Sequence, residues 1–367
     1  MDNLTHSLVG VALSRVFFKD KAPLATTMLV LAANAPDVDA FVAGRGIDYL
    51  AWHRNLTHSL LFLPVWIAIV ALVWRSLARL RQRRGQTWNR ERGAWQSAPE
   101  NQALKELGAA ATRSGPGLPN PVPWRLALWA GFLGVGSHLL LDWTNSYGIR
   151  LFSPLSMRWF ALDWMPILDP WLWLILLVFL LLPMVLGLVS REMGARPNRH
   201  RTGAAVALIA MLAWWGFRAE MHARALLAVK RGPIPAAAGR GSAAIPEFSN
   251  PLFWRGIVSL PDRYYVGEVD SPEESWQKAP QIVYKTEPTP AMQAAERSRS
   301  GRIFLDFARF PLAGALHTGD LTEVWITDLR FGYHGAPPRM GLRVWLDPKL
   351  HVVRSRFGFS RPGVRPG

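Results

Sequence analysis

Seven residues in the amino-terminal half have the types and spacing that hold a divalent cation: His6, Asp37, Asp39, His53, His58, His138 and Asp142. His138 and Asp142 are four apart in an apolar run, so a helix turns both to one face, where together they can grip one ion. His53 and His58 straddle the start of another apolar run. They converge only if His53 lies in the preceding turn, with Thr57 as the helix cap. Asp37 and Asp39 follow Pro36, which predicts non-helical backbone with one carboxylate reaching inward and the other bridging or orienting. Mixed imidazole and carboxylate ligands suit zinc, with manganese as the second choice. Seven candidates exceed the needs of one tetrahedral ion, so one or two ions are expected. Such a centre can generate hydroxide and clamp an ester or phosphoester, with Asp37 or Asp39 as the base. The guanidinium of Arg54 matches a phosphate oxygen, which adds it to the catalytic candidates. Thr5, Ser7, Thr57 and Ser59 read as caps before they read as nucleophiles. Asp163 and Asp169 read as loop-turn or supporting residues, and His222, His317, His334 and His351 have no ligand spacing.

The elements that must position these residues are apolar. The 367 residues are 50% hydrophobic and 19% charged, with 18 Trp and no Cys. That composition excludes a disordered tail and a disulfide-stapled module. Thr57–Trp74 has no charged residue over 18 positions, close to the ~20 that cross a bilayer core. Leu126–Trp143, Pro170–Val189 and the shorter Gly203–Phe217 are further expected spans. Leu4–Phe18 and Leu24–Ala35 are short for spans and predict a packed helical hairpin.

The net charge of +16 suggests a nucleic-acid or anionic-lipid partner until its distribution is read. Residues 75–125 carry ten Lys and Arg against three acids, and residues 190–202 carry four against one. The first of these is expected to be a mobile cytoplasmic loop, because Pro and Gly cluster at its end. By the positive-inside rule both segments face the cytoplasm, and no nucleic-acid partner is expected. Counting helices from there places all seven ligand candidates at the outer face. Ionisable groups at membrane depth are costly and point to function, so their agreement in depth predicts one site built from four segments.

From Arg218 the texture changes to short aromatic and β-branched runs such as Arg263–Val269 and Glu323–Phe331, broken by Pro, Gly and Asp. The expected fold is mainly α: a polytopic transmembrane helical domain over residues 1–217, a linker over 218–246 and a soluble β-rich domain over 247–367. The β-rich part is expected outside the membrane, covering the mouth of the site or binding a partner.

At THSLVG, PDVD, HRNLTHS and HLLLDWTNSYG the sequence resembles the bacterial inner-membrane, metal-dependent hydrolases of the YdjM type, over roughly residues 1 to 220. The resemblance implies a multi-helix membrane domain whose His and Asp residues bind metal. The order His, Asp, His, His-x-x-x-Asp is also similar, more distantly, to zinc-dependent phospholipase C, which implies phosphoester chemistry. The expectation is therefore a membrane-bound hydrolase acting on an ester or phosphoester of amphipathic character, such as a membrane lipid, at the outer face of the cytoplasmic membrane. The alternatives are a metal-binding transporter, or a regulatory scaffold without catalysis.

Overall fold

Helices in the amino-terminal half form where apolar side chains can be hidden from water only against other helices. The computed structural model describes residues 1–18, 22–96, 122–192, 199–232, 234, 241–332 and 340–359. Helix α1 (Asn3–Leu13) opens on Asp2, whose carboxylate accepts the backbone N–H of Thr5. It runs on as a π-helical turn over Ser14–Phe18, and the chain returns as α2 (Ala25–Asn34), giving the expected hairpin. Gly10 makes the contact close: a β-carbon there would sit 2.9 Å from the Leu29 carbonyl oxygen.

The Pro36–Val38 segment is a 3-10 turn, and Asp39 starts the one-turn helix α3 (Asp39–Val42), followed by α4 (Ile47–Trp52). The expectation of non-helical backbone at Asp37 and Asp39 is corrected here. Pro36 occupies the first position of the turn, where its missing N–H is no loss, so the chain can coil directly after it.

Helix α5 (Leu63–Gln96) is one continuous element, so the expected loop beginning at residue 75 is helical as far as Gln96. Arg, Leu, Ala, Gln and Glu are strong helix formers and no Pro interrupts them before Pro99. Most of the Pro and Gly cluster behind the loop expectation, Gly115 to Pro121, lies outside the described residues, and its last member, Pro123, directly precedes the next helix. Helix α6 (Trp124–Thr144) packs against both α5 and α2. A β-carbon on Gly131 would lie 2.9 Å from Ile67 Cα, and one on Gly134 would lie 2.5 Å from Ala32 Cβ. Small residues at these crossings let backbones approach where no hydrophobic drive separates helix from lipid.

Asp169 caps α7 (Pro170–Glu192), accepting the Leu172 N–H at 2.8 Å. Helix α8 (Arg199–Arg231) then runs past the expected boundary at residue 218. It continues because Met221, Ala225, Ala228 and Val229 form an apolar face that packs under the first sheet with Trp254, Val258 and Val269. The expected linker over 218–246 is shortened at both ends, since α8 reaches Arg231 and Gly241–Pro246 forms strand β1. Three described stretches are long and apolar enough to cross a membrane: Leu63–Arg83, Trp124–Thr144 and His200–Arg231. Ala25–Asn34 and Pro170–Val185 are shorter apolar helices.

The carboxy-terminal part is rich in strand, as expected, and holds two antiparallel sheets. The first contains β1, β2 (Phe253–Ser259), β3 (Arg263–Asp270), β4 (Ser275–Trp276) and β5 (Gln281–Tyr284). The second is a meander of β6 (Pro311–Thr318), β7 (Leu321–Asp328), β8 (Met340–Leu346) and β9 (Val352–Phe359). Two short helices, α9 (Pro290–Arg297) and α10 (Arg299–Phe307), join them.

The second sheet shares a core with residues beside the ligand candidates. Leu50, Tyr147 and Trp159 pack with Phe304, Phe307, Met340 and Leu342. Charged contacts close the seam: Arg309 pairs with Asp163 at 2.7 Å, Arg150 with Asp306 at 2.6 Å, and Arg330 donates to the Ser146 carbonyl at 2.8 Å.

The helix crossing at Gly134 generates a stability test. Gly134→Val is expected to cost about 1–3 kcal/mol by overpacking against Ala32, read as a lowered Tm in detergent. Gly136→Ala, with nothing within 4 Å of the new methyl, is expected to leave Tm unchanged or raise it slightly.

Candidate metal centre

Three segments bring four polar side chains to one buried point. The turn after α2 supplies Asp37, the short 3-10 helix Leu56–His58 supplies His58, and the last turns of α6 supply His138 and Asp142. His58, His138 and Asp142 are wholly buried, and Asp37 is nearly so. One ligand atom from each of the four lies within 4.8 Å of every other.

The geometry is tighter than that limit. His58 Nε2 lies 3.3 Å from Asp37 Oδ1 and 3.4 Å from Asp142 Oδ2. His138 Nε2 lies 3.5 Å from Asp37 Oδ1, 3.4 Å from Asp142 Oδ2 and 3.1 Å from His58 Nε2. Bonds of ~2.0–2.1 Å to a tetrahedral cation require ligand atoms about 3.3 Å apart. Five of the six edges of this group fall between 3.1 and 3.5 Å.

The protons of the two imidazoles are committed on their far sides. His138 Nδ1 lies 2.7 Å from the Ala33 carbonyl, which can only accept. His58 Nδ1 faces the Thr57 hydroxyl at 3.1 Å and Asp39 Oδ2 at 3.3 Å. In the neutral rings this leaves bare Nε2 lone pairs pointing at each other and at two carboxylates. Four acceptors without a donor repel, and one proton can bridge only two of them. Asp142 Oδ2 is buried without a hydrogen-bond partner among the described residues. The residues present therefore fit a divalent cation, and the carbonyl and carboxylate behind each imidazole orient it as such ligands require.

Asp39 and His53, predicted as ligands, form a second group with Asp37. Asp39 Oδ1 accepts from His53 Nδ1 at 2.7 Å, while Oδ2 accepts from the Arg54 backbone N–H at 3.2 Å and from the Thr57 hydroxyl. The His53–Asp39 separation is a hydrogen bond, shorter than the spacing of two ligands on one ion. Asp39 is thus an organiser of His53, Thr57 and His58. Burial opposes its ionisation, but the hydrogen bonds from His53 and His58 hold its carboxyl below the ordinary carboxylate value. Burial pushes the His53 imidazole down, with the bond to Asp39 acting against it. Thr57, expected as a helix cap, is corrected to this role: its hydroxyl goes to Asp39 because it sits in the 3-10 turn and not at the mouth of α5.

His6 stands outside both groups. Its ring stacks on His138 at 3.9 Å between centroids, and its Nε2 lies 3.5 Å from Asp142 Oδ1. Arg54 is buried: it donates to Asp142 Oδ1 at 2.9 Å and to Asn145 Oδ1 and the Gly148 carbonyl at 3.3 Å, and it lies over Tyr147 at 4.7 Å. Asp142 is thereby divided, one oxygen to Arg54 and the other to the imidazoles. The amino-terminal ammonium of Met1 also contacts Asp142 Oδ1.

Beside this centre lies a cavity of about 350 Å³ whose lining includes Asp37, Tyr49, His53, Arg54 and Tyr147. Asn145, Tyr49 and Tyr147 were not singled out by sequence. Asn145 and Tyr147 sit in the DWTNSYG segment directly after Asp142, so adjacency to a ligand was the available signal. Asp163 and Asp169 serve as an ion-pair partner and a helix cap, in keeping with the supporting roles read from sequence.

Fold and site together define a helical membrane protein with a buried His and Asp centre. A family model, YdjM inner membrane protein, matches residues 1–225, and the chain belongs to that family. No curated protein matches the chain, and no solved structure does.

Metal analysis of the purified protein is expected to find about one divalent ion per chain. His138→Ala and Asp142→Ala are each expected to lose it. Asp39→Asn, which leaves the four ligand atoms in place, is expected to retain the ion with affinity about 10–100-fold weaker. Unchanged metal content in both ligand variants would overturn the centre.

Proposed function

We propose that this protein is a metal-dependent hydrolase of an ester or phosphoester, with its site at the outer face of the cytoplasmic membrane and its helices crossing that membrane several times. The observation that carries the reading is the four-acceptor group at tetrahedral spacing, with one member, Asp37, also lining a cavity. A divalent ion of the zinc type, when held there, would supply Lewis acidity toward an ester or phosphoryl oxygen by expanding its coordination beyond the four protein ligands.

The chain's own residues supply positioning and proton transfer. His53 lines the cavity and donates its Nδ1–H as a hydrogen bond to Asp39, which leaves Nε2 as the acceptor of a proton. An imidazole oriented by a buried carboxylate is the arrangement of a general base. In this role His53 replaces the base expected at Asp37 or Asp39. Asp39 already accepts from His53, Thr57 and the Arg54 backbone, and Asp37 faces both imidazoles of the four-residue group. Arg54 fixes Asp142 and places positive charge at the cavity wall, where charge develops on the substrate oxygen.

The outward orientation follows from the basic segments on the far side of the spans. Transport is the weaker reading. Among the described residues of the Leu63–Arg83 span, charge is confined to its basic end from Arg75.

The assignment separates two kinds of variant. His53→Gln is expected to keep its metal while kcat falls about 10²–10⁴-fold on a turned-over ester, and the acid limb of its pH profile should disappear. His138→Ala is expected to lose metal and activity together. Metal-loaded wild-type protein that leaves a panel of carboxylic and phosphoric esters intact would sink the proposal.

A further inference from the structure

The cavity beside the metal group is amphipathic, and its two characters come from two parts of the chain. Asp37, His53 and Arg54 form a polar end. Phe331, Met340 and Phe357 form an apolar wall, and all three belong to the carboxy-terminal β-rich part. The family model ends at residue 225, so this wall lies outside the stretch that defines the family. It is held in place by the shared core of Leu50 and Tyr147 with Phe307 and Met340, and by Arg330 bonded to the Ser146 carbonyl.

A second observation concerns the rim. Phe41 lines the cavity yet is 88% exposed, and its neighbour Val42 is 84% exposed. Trp52, directly before His53, is 63% exposed. Asp39 and Phe41 share the single turn of α3, so the element that organises the site also holds apolar side chains outward. Exposed aromatic and branched side chains at the mouth of a site in an inner-membrane family match the interfacial zone of a bilayer, where such groups reside at low cost. At about 350 Å³ the cavity is near the small end of the ~300–1,000 Å³ range of ligand sites. That volume suits a polar head with its first carbons, not a whole two-chain lipid.

We infer that the cavity binds a membrane lipid, with its ester-bearing head at Asp37 and Arg54, its proximal acyl carbons against Phe331, Met340 and Phe357, and the rest of the chain leaving past Phe41 into the bilayer. What becomes of that lipid rests on the hydrolase reading; its binding does not.

The test uses the full-length protein in phosphatidylethanolamine vesicles containing phosphatidylglycerol with a photoactivatable diazirine on the acyl chain close to the ester. Peptide mass spectrometry after irradiation is expected to find adducts on Phe331, Met340 or Phe357, and Phe41→Ser with Phe331→Ala is expected to reduce them about tenfold. Phe41 is exposed and Phe331 is only partly buried, and an unchanged metal content would show that the variant is folded. Adducts confined to the lipid-facing sides of α5, α6 and α8, equal in wild type and variant, would overturn the inference. Labelling at the wall by a protein that cleaves no ester would uphold the lipid pocket and remove the hydrolase. Cleavage of a water-soluble short-chain ester without labelling at the wall would do the reverse.

Discussion

Three carboxylates and four imidazoles are buried together, and the rest of the architecture answers that fact. Isolated buried charges are far too costly to survive, so every one must find a counter-charge or hydrogen bond. Asp39 is satisfied by His53, Thr57 and the Arg54 backbone, and one oxygen of Asp142 by Arg54. What is left over is specific: Asp142 Oδ2, an Asp37 oxygen and two imidazole nitrogens, which face one another. Both His6 ring nitrogens and Arg54 Nε are likewise without a hydrogen-bond partner among the described residues, and the four-atom group at the centre has the composition that fits a cation.

Arg54 shows how far the surroundings are organised for this. Its backbone is in the left-handed region at φ 58°, a conformation that costs a non-glycine residue roughly 1–2 kcal/mol. It persists because both ends of the residue are tied. The N–H goes to Asp39, the carbonyl accepts from the Arg150 N–H at 3.1 Å, and the guanidinium reaches Asp142 and Asn145. A straighter chain would carry either His53 away from Asp39 or His58 away from its partners, since these lie on opposite sides of Arg54. Strain held by over-determined contacts is common where side chains must converge.

Much of this centre was legible in the sequence, and the reasons differ by residue. His138 and Asp142 were readable as a pair because helical periodicity fixes their common face. Asp37 and His58 were readable as members of one site because the charge pattern sets all the segments at one depth. Spacing could not separate ligands from organisers. Whether Asp39 or Asp37 meets the imidazoles depends on the coil after Pro36, and the reversal at Arg54 depends on contacts from residues 90 positions away. The membrane helices and the β-rich tail were readable from texture. The boundary between them was not, because Ala, Leu, Arg and Glu after Phe217 suit a helix in lipid or in water equally well, and only the apolar face toward the first sheet decides that α8 continues.

That continuity bears on what the β-rich part can do. A flexible tether would let the two sheets drift from the membrane domain, whereas an uninterrupted α8 packed under the first sheet fixes their orientation. The second sheet then meets the segments that carry Tyr49, His53 and Tyr147, with Asp163, Asp306 and the Ser146 carbonyl each taken by an arginine across the seam. Tyr147 is the pivot of this arrangement. Its ring lies beneath the Arg54 guanidinium on one side and against Phe307, at 4.7 Å, on the other. The arginine that braces Asp142 therefore rests on an aromatic surface built jointly by the two parts of the chain. Loosening the seam would disturb the buried His and Asp group through Arg54 without touching its members, so the β-rich part supports the site as well as walling it.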